Sequence, residues 1–325
     1  MERSDKRGYK GGYKKMKRYT SHEIKEFISK PMFDGKVMLN KDSSWPKISI
    51  VTPSYNQAQF LERTILSVLN QNYPNLEYIV IDGGSTDGSV EIIKKYEKYL
   101  SYWVSEPDKG QSDALNKGFK IATGEILVYL NSDDIFLPGT LNRISLEFKK
   151  EIDIEVLYGN KLLISSKDEI ISERRFVKWL PQLSELGLFS GAGFGIHLDS
   201  SFFRKELYNK TRGFDDLTLR NTMDTDMFLQ MVNLGAKFYF FREYFIGFRL
   251  QEESKTNTSG KSIGLEESRY LFSKYYPYKF KIPFIARYFL RLLWATLFIF
   301  GGDIDYLIKR VFIERRKDYQ EYTTR

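Results

Sequence analysis

The sequence predicts an α/β fold: a Rossmann-like, mostly parallel sheet flanked by helices, with a C-terminal helical extension. Three observations carry that expectation. Apolar, strand-like runs alternate with helix-periodic segments between Lys47 and Leu130, the order of a parallel sheet covered on both faces. The runs end in polar loops rich in Asp, Asn, Ser and Gly, where an open α/β sheet carries its chemistry. A chain of 325 residues, 42% hydrophobic and 16% aromatic, can bury one large core or two smaller ones.

Taken in order, Met1 to Arg18 is rich in Gly, Tyr and Lys and reads as a mobile tail. Lys47-Ile48-Ser49-Ile50-Val51 is a strand. Leu61, Ile65, Val68 and Leu69 recur at helical spacing until Asn72-Tyr73-Pro74-Asn75 stops the helix. Leu76 to Ile81 is the second strand. A Gly-rich loop follows it, then a helix through Leu100 and a short strand from Tyr102 to Ser105. Ser112 to Ala122 is helical and ends near Gly124, and Glu125 to Leu130 is the next strand. Beyond Pro138 the alternation weakens. Val156-Leu157-Tyr158, Leu162-Leu163-Ile164 and Lys237 to Phe241 read as strands, Thr222 to Leu234 as a helix, and residues 180–200 as loop.

Composition excludes several chemistries. With no cysteine there is no disulfide and no thiolate metal site, and with only His22 and His197 a zinc centre is not expected. The N-terminus shows no apolar signal-peptide core, which suits a cytoplasmic setting. The net charge of +8 is concentrated at the ends. Residues 1–18 hold eight Lys or Arg against Glu2 and Asp5, and residues 274–291 hold five basic groups and no acid, so the body is mildly acidic. Such a body would repel a nucleic-acid phosphate backbone, and no specific nucleic-acid partner is expected.

The loops carry the functional signal. Thr52-Pro53-Ser54-Tyr55-Asn56-Gln57 lacks the Gly-x-Gly-x-x-Gly of a dinucleotide site, so NAD or FAD is not expected. Tyr55 is suited to stacking on a nucleobase with Asn56 hydrogen-bonding nearby, although a turn capping the next helix reads equally well. In Asp82-Gly83-Gly84-Ser85-Thr86-Asp87-Gly88, Asp82 can accept from a ribose hydroxyl or a base N–H, and Ser85 or Asp87 can cap the following helix. Asn131-Ser132-Asp133-Asp134 sets carboxylates where a buried strand emerges. Without Cys or His beside them, they suit a hard cation holding a phosphate, or else a solvated Asx turn.

Together these loops resemble the family 2 glycosyltransferases, which have the GT-A fold. The resemblance runs from about Lys47 to Leu141 and, more weakly, to about Thr256. It includes Ser105-Glu106-Pro107-Asp108-Lys109-Gly110-Gln111-Ser112-Asp113-Ala114-Leu115-Asn116-Lys117-Gly118, and Gly213-Phe214-Asp215 before Met223-Asp224-Thr225-Asp226. It implies transfer of a sugar from a nucleoside diphosphate to an acceptor hydroxyl with inversion. Carried over by position, Pro53, Tyr55 and Asn56 line the nucleoside pocket with Asp82 beside it, and Asp108 and Asp113 face the donor sugar. Asn131-Ser132-Asp133 takes the Asp-x-Asp place, with Asp133 binding Mg²⁺ or Mn²⁺. Asp224 matches the catalytic base; by itself it also reads as an acid in the first turn of a helix. His197 falls on the acceptor side, where a structural histidine is an equal reading.

Four departures from the family pattern stand out: Gly83 for a second acid, Asn131 for the first acid of Asp-x-Asp, Met223 for a Glu, and Phe248-Arg249-Leu250-Gln251 for Arg-x-His. The resemblance divides the chain into a basic lead-in (1–46), a nucleotide-sugar half (47–141), an acceptor-side half of the same catalytic domain (142–273) and a basic amphipathic extension (274–325). It also brings two expected partners, a nucleotide-diphosphate sugar and a glycan or lipid-linked acceptor. A sugar-phosphate nucleotidyltransferase and a non-enzymatic binding protein are the alternatives.

The extension is apolar from Ile282 to Phe300 but broken by Pro283, Arg287 and Arg291, and Leu292 to Phe300 is too short to span a bilayer. Ile304, Leu307, Ile308, Val311 and Phe312 form one apolar stripe, with Lys309, Arg310, Arg315, Arg316 and Lys317 following or flanking it. That pattern suits an anionic membrane surface, here the inner face of the cell membrane, or a helix pair packed on the catalytic body.

Overall fold

The computed structural model describes residues 16–178, 198–215, 218–219, 221–251, 260–275, 292–293 and 295–308. Most of the N-terminal tail, His197 and most of the basic C-terminal run lie outside them. A capping box opens α1 (Ser21–Ser29): the Thr20 amide donates to Glu23 at 2.7 Å, and the Glu23 amide donates to Thr20 Oγ1 at 3.2 Å. A short α2 (Gly35–Leu39) leads into the alternating region. There β1 (Ile48–Ser54), α3 (Ala58–Leu69), β2 (Leu76–Asp82), α4 (Ser89–Tyr96), β3 (Tyr102–Ser105), α5 (Gln111–Ile121) and β4 (Ile126–Tyr129) follow one another. Then come β5 (Ile135–Phe136), α6 (Thr140–Lys150), β6 (Val156–Ile164), β7 (Ile170–Arg174), β8 (Ser201–Arg204), a helix over Met223–Asn233 and β9 (Phe238–Arg249).

One sheet joins these strands in the order β3-β2-β1-β4-β8-β6-β9-β5, with β7 paired to β6. Its first four strands are parallel throughout, as alternation with helices requires. The second half is mixed: β8 runs antiparallel to both β4 and β6, while β6 and β9 are parallel. The weakened alternation past Pro138 is the trace of that mixture in the sequence.

Of the first half, β1, β2 and β4 are buried on both faces, and β3 forms the partly exposed edge. Ile48 and Ile50 pack with Leu61, Ile65 and Val68 of α3 on one side. Val51 packs with Ala114, Leu115 and Phe119 of α5 and with Met227 and Met231 on the other. The side-chain period of two along β1 thus feeds two helical layers. Gly118 sets the closeness of one layer: a Cβ there would lie 2.4 Å from Val51 Cγ1.

Several elements differ from the sequence expectation. Val156–Tyr158 and Leu162–Ile164 are one strand, since Gly159-Asn160-Lys161 stays extended against β9. The strand begun near Lys237 continues to Arg249, which carries its end beneath the Asn131–Asp134 loop. The helix α6 was not legible, because its apolar residues Leu141, Ile144 and Phe148 sit among charged ones directly behind a Pro-Gly turn.

At the C-terminal end, buried Asp303 accepts from Arg175 Nη1 and Arg242 Nη2, each at 2.6 Å, and Arg175 lies over the Tyr306 ring. The helix Ile304–Ile308 is therefore pinned to the body through Asp303 and Tyr306. Its apolar residues Ile304 and Ile308 point outward with Phe300, which is 75% exposed. Among the described residues no helix is long and apolar enough to cross a membrane.

Candidate active site

Because β1, β2 and β4 run parallel, the loops that leave their C-terminal ends lie at one edge of the sheet. Pro53 and Ser54 are paired with Ile81 and Asp82, so the first two loops start level with each other. Asp82 is fully buried and organises its own loop. Its Oδ2 accepts from the amides of Gly84 (3.2 Å) and Ser85 (2.8 Å) and from Ser105 Oγ (2.7 Å), and its Oδ1 accepts from Ser85 Oγ (2.6 Å). Both carboxylate oxygens are thus engaged within the protein, and Asp82 shapes the loop that follows β2.

Asn56 adopts a left-handed φ of 51°, which Asn tolerates better than most residues. Its amide donates to Ser85 Oγ at 2.8 Å, and its Oδ1 accepts from the Thr86 amide at 2.9 Å. Asp87 and Ser89 take the first amides of α3, those of Ala58 (2.8 Å) and Gln57 (3.1 Å). The two loops are latched together, and Tyr55 projects from them 61% exposed. An aromatic face held out by a rigid turn is suited to stacking.

Asp108 lies over Gly83, where a Cβ would come within 2.9 Å of its Oδ2. The missing side chain at position 83 thus makes room for a carboxylate from the next loop. Burial pushes the Asp108 carboxyl up; the Gly110 amide, bound at 2.8 Å, opposes this, and the nearby charges of Asp113 and Asp82 add to it. Asp113 accepts from the Lys109 amide at 3.1 Å and pairs with Lys117 at 3.4 Å.

The loop Asn131–Asp134 is held from three directions. Gln111 at the start of α5 donates to Asn131 Oδ1 at 2.7 Å, and Thr64 of α3 donates to the carbonyls of Ser132 (2.9 Å) and Asp134 (2.7 Å). Arg249 at the end of β9 supplies the third hold, on Asp133 and Asp134. Ser132 and Asp134 are buried, and burial together with the neighbouring Asp133 pushes the Asp134 carboxyl well above its usual range. Asp133 is half-buried and receives Gln251 Nε2 on its Oδ2.

Among the described residues no three Asp, Glu or His side chains form a metal cage. Gln111 holds Asn131 Oδ1 and Gln251 turns its Nε2 toward Asp133, so the Asp133 carboxylate is the hard oxygen donor here. It fits a Mg²⁺- or Mn²⁺-type ion bound through one carboxylate and completed by phosphate oxygens and water.

Asp224 opens the helix Met223–Asn233, which is tied to the same edge where Ser112 Oγ donates to Met223 Sδ at 2.9 Å. Gln111 and Ser112 thereby join the Asn131 loop to the Asp224 turn. Burial pushes the Asp224 carboxyl up to about 6; Asp199 adds to the rise, and the Thr225 amide and Lys161 oppose it. Lys161 and Asp199 form a buried ion pair at 2.6 Å. Asp226, two residues on, is consumed structurally: it accepts from Gln230 (2.8 Å), Lys274 (3.1 Å) and Tyr275 (2.7 Å). An open hollow of about 700 Å³ beside β7, lined by Arg18, Glu173, Arg175 and Asp305 among others, shares no residue with these loops.

Residues 49–210, the stretch that carries most of this edge, match the family model of glycosyl transferase family 2. The chain belongs to that family. It is 26% identical to an uncharacterized glycosyltransferase of Rickettsia typhi over 84% of this chain and 92% of the relative. It is 29% identical to chondroitin synthase of Escherichia coli over 58% of this chain but only 27% of the synthase. Among solved structures, S. aureus TarS 1-349 in complex with UDP-GlcNAc matches over 83% of this chain and 77% of that one, at 17% identity and a TM-score of 0.55. The mannosyltransferase PcManGT of Pyrobaculum calidifontis, in complex with GDP-Man and Mn²⁺, matches over 94% and 89%, at 16% identity and a TM-score of 0.50. The fold is GT-A and the protein is a glycosyltransferase, which removes the nucleotidyltransferase and non-enzymatic alternatives.

The structure thus brings Tyr55, Asn56, Asp82, Asp108, Asn131, Asp133 and Asp224 to one edge of the family 2 sheet. His197 lies outside the described residues. Sequence reasoning missed Thr64, Gln111, Lys161 and Asp134 as site supports and gave Arg249 no role. A charged residue between the mostly apolar run Tyr244–Phe248 and Leu250 was the available signal for Arg249.

Proposed function

We propose that this glycosyltransferase moves a sugar from a nucleoside diphosphate donor to an acceptor hydroxyl with inversion, in the synthesis of a cell-surface glycan. The observation that carries the reading is Asp224: a carboxyl raised to about 6 by burial, tied through Ser112 and Gln111 to the Asn131–Asp133 loop. A base whose pKa lies near the working pH is ionised when needed yet basic enough to take a proton from an attacking hydroxyl. Asp226, saturated by Gln230, Lys274 and Tyr275, is not suited to that task.

In this reading Tyr55 stacks on the base of the donor, and the Asn56–Ser85–Asp82 network holds the wall it stacks from. Asp108 and Asp113 face the donor sugar. Asp133 would hold Mg²⁺ or Mn²⁺, which would supply positive charge to the departing diphosphate. Inversion follows if Asp224 delivers the acceptor oxygen to the face opposite the diphosphate. The solved relatives, one in complex with UDP-GlcNAc and the other with GDP-Man and Mn²⁺, support a nucleotide-sugar donor and a divalent ion. The chondroitin synthase match supports a polysaccharide product.

Incubation with a panel of nucleotide sugars tests the reading. Release of a nucleoside diphosphate is expected; no release from any donor, with or without acceptor, overturns it. Asp133→Ala is expected to abolish the metal-dependent part of nucleoside diphosphate binding, measured by calorimetry with Mn²⁺. An unchanged metal-dependent affinity would place the ion elsewhere.

A second proposal concerns location. Ile299, Phe300, Ile304 and Ile308 are all exposed on the pinned C-terminal segment, and Lys309, Arg310, Arg315, Arg316 and Lys317 follow in sequence. Apolar side chains beside basic ones supply the two signals of stable attachment to an anionic membrane surface.

A further inference from the structure

Arg249 is the largest fully buried side chain among the described residues, at 1% exposed. A guanidinium so placed loses its hydration, and burial accordingly lowers its pKa while Asp168 opposes the shift. Three elements meet on it. Its Nε donates to the Asp133 carbonyl at 2.7 Å, and its backbone amide donates to Asp134 Oδ1 at 2.8 Å. Its Nη1 donates to the Ser165 carbonyl at 2.7 Å in the turn between β6 and β7. Its Nη2 lies 2.6 Å from Asp168 Oδ1, an ionic contact, and Asp168 pairs in turn with Arg63 of α3 at 2.6 Å.

The arrangement is more than packing. Asp168 sits in the turn with a left-handed φ of 62°, its two oxygens divided between the two arginines. Arg249 and Arg63 both lie over the Phe60 ring, at 4.7 and 5.0 Å from its centre. Two residues past Arg249, Gln251 reaches the Asp133 carboxylate. The same strand end thus fixes the main chain of Asp133 and delivers the amide that touches its side chain. A planar fork with five donors can hold carbonyls in several directions at once, which a lysine ammonium on a flexible stem cannot reproduce.

We propose that Arg249 is a positioning residue for the diphosphate end of the donor site: it holds the Asn131–Asp134 loop so that Asp133 meets the cation and phosphate in one geometry. The β6–β7 turn, through Asp168, and α3, through Arg63 and Phe60, are the parts that hold Arg249. The proposal rests on Asp133 being the cation ligand, as argued above.

The test uses the full chain with Arg249→Met, Arg249→Lys and, as a matched control, Arg204→Met. Arg204 also binds carbonyls, those of Phe148, Ile152 and Ile154, but it does so behind β8 and touches none of the site loops. Calorimetry with UDP and GDP, each with and without Mn²⁺, separates metal-dependent from metal-independent binding. Hydrogen exchange of residues 131–134 and 165–168 reports the loops without any ligand. Both Arg249 variants are expected to weaken Mn²⁺-dependent binding by about ten- to a hundredfold, the usual cost of losing a residue that orients a metal ligand. Metal-free binding should change by less than about twofold, and exchange should rise in both loops. Arg204→Met should alter none of these.

A folded Arg249→Met with unchanged metal-dependent binding and unchanged exchange overturns the proposal. If Arg249→Met does not fold, Arg249→Lys decides by the same two readouts. If the wild type shows no metal-dependent binding of either nucleotide, the cation reading of Asp133 falls. Unchanged exchange would then overturn the clamp as well, while faster exchange confined to both loops would support it.

Discussion

On the proposed reading, Asp224 ties activity to stability. Its folded pKa of about 6 lies above the ordinary 3.8, so the folded chain binds its proton more tightly than the unfolded chain does. Stability from this group is therefore present below about pH 4 and is lost as pH rises through about 6. Asp224→Asn is expected to lower turnover roughly a hundredfold or more while keeping donor binding, since Asn keeps the shape and cannot take a proton. The same variant should be more stable than the wild type above pH 7, by about 3 kcal/mol, with the difference vanishing below pH 4. Thermal melts at several pH values check the second half. An activity profile that rises through about pH 6 in the wild type checks the first. A variant both active and no more stable would remove Asp224 from the base role.

At the scale of elements, the site depends on how closely α5 rides on β1, because α5 carries both Gln111 and Ser112. Gly118 permits that approach, with Val51 as the neighbour a side chain would strike. Gly118→Ala is expected to destabilise by about 1–3 kcal/mol through overpacking, despite the better helix propensity of Ala. Val51→Ala in the same chain should recover part of that loss, so the double variant lies closer to the wild type than the sum of the two single changes. Urea unfolding of the four proteins measures it. Additive losses would mean that α5 moves as a body instead of pressing on Val51.

At the scale of the whole molecule, the C-terminal segment is both anchored and outward-facing. Asp303 sits between Arg175 and Arg242, and Tyr306 lies under Arg175, while Ile304 and Ile308 point away. Removing residues 282–325 would leave Arg175 without Asp303 in a buried setting, a loss expected to cost about 3–5 kcal/mol. Removing only residues 309–325 spares that latch. The shorter truncation should keep the melting temperature but release the protein from anionic vesicles, whereas the longer one should lose both. Sedimentation with vesicles at low and high salt, beside a thermal melt, separates the outcomes, because the electrostatic share weakens as salt rises. Full-length protein that stays in the supernatant at both salts would end the membrane reading and leave the segment as a packed part of the body.

What the sequence determined by itself was local in origin. Alternating runs of strand and helix period announced the parallel half of the sheet, and the residues just past each strand, Pro53 to Asn56, Asp82 and Asn131 to Asp133, marked the loops of the candidate site. Both signals live within a few positions of one another, so they survive in a linear reading. Which side chains support those residues was decided only by tertiary structure. Thr64, Gln111 and Arg249 reach the Asn131–Asp134 loop from three separate elements, and Arg249 lies more than a hundred positions away along the chain. The mixed half of the sheet was hidden for the same reason, since β8, β6 and β9 pair across long separations that leave no periodic mark. The outward face of Ile304 and Ile308 was legible as a stripe, but its meaning was not. Only the latch of Asp303 on Arg175 and Arg242 decides which face of that helix meets the protein, because a charged residue before a short helix reads as solvated until its partners are brought beside it.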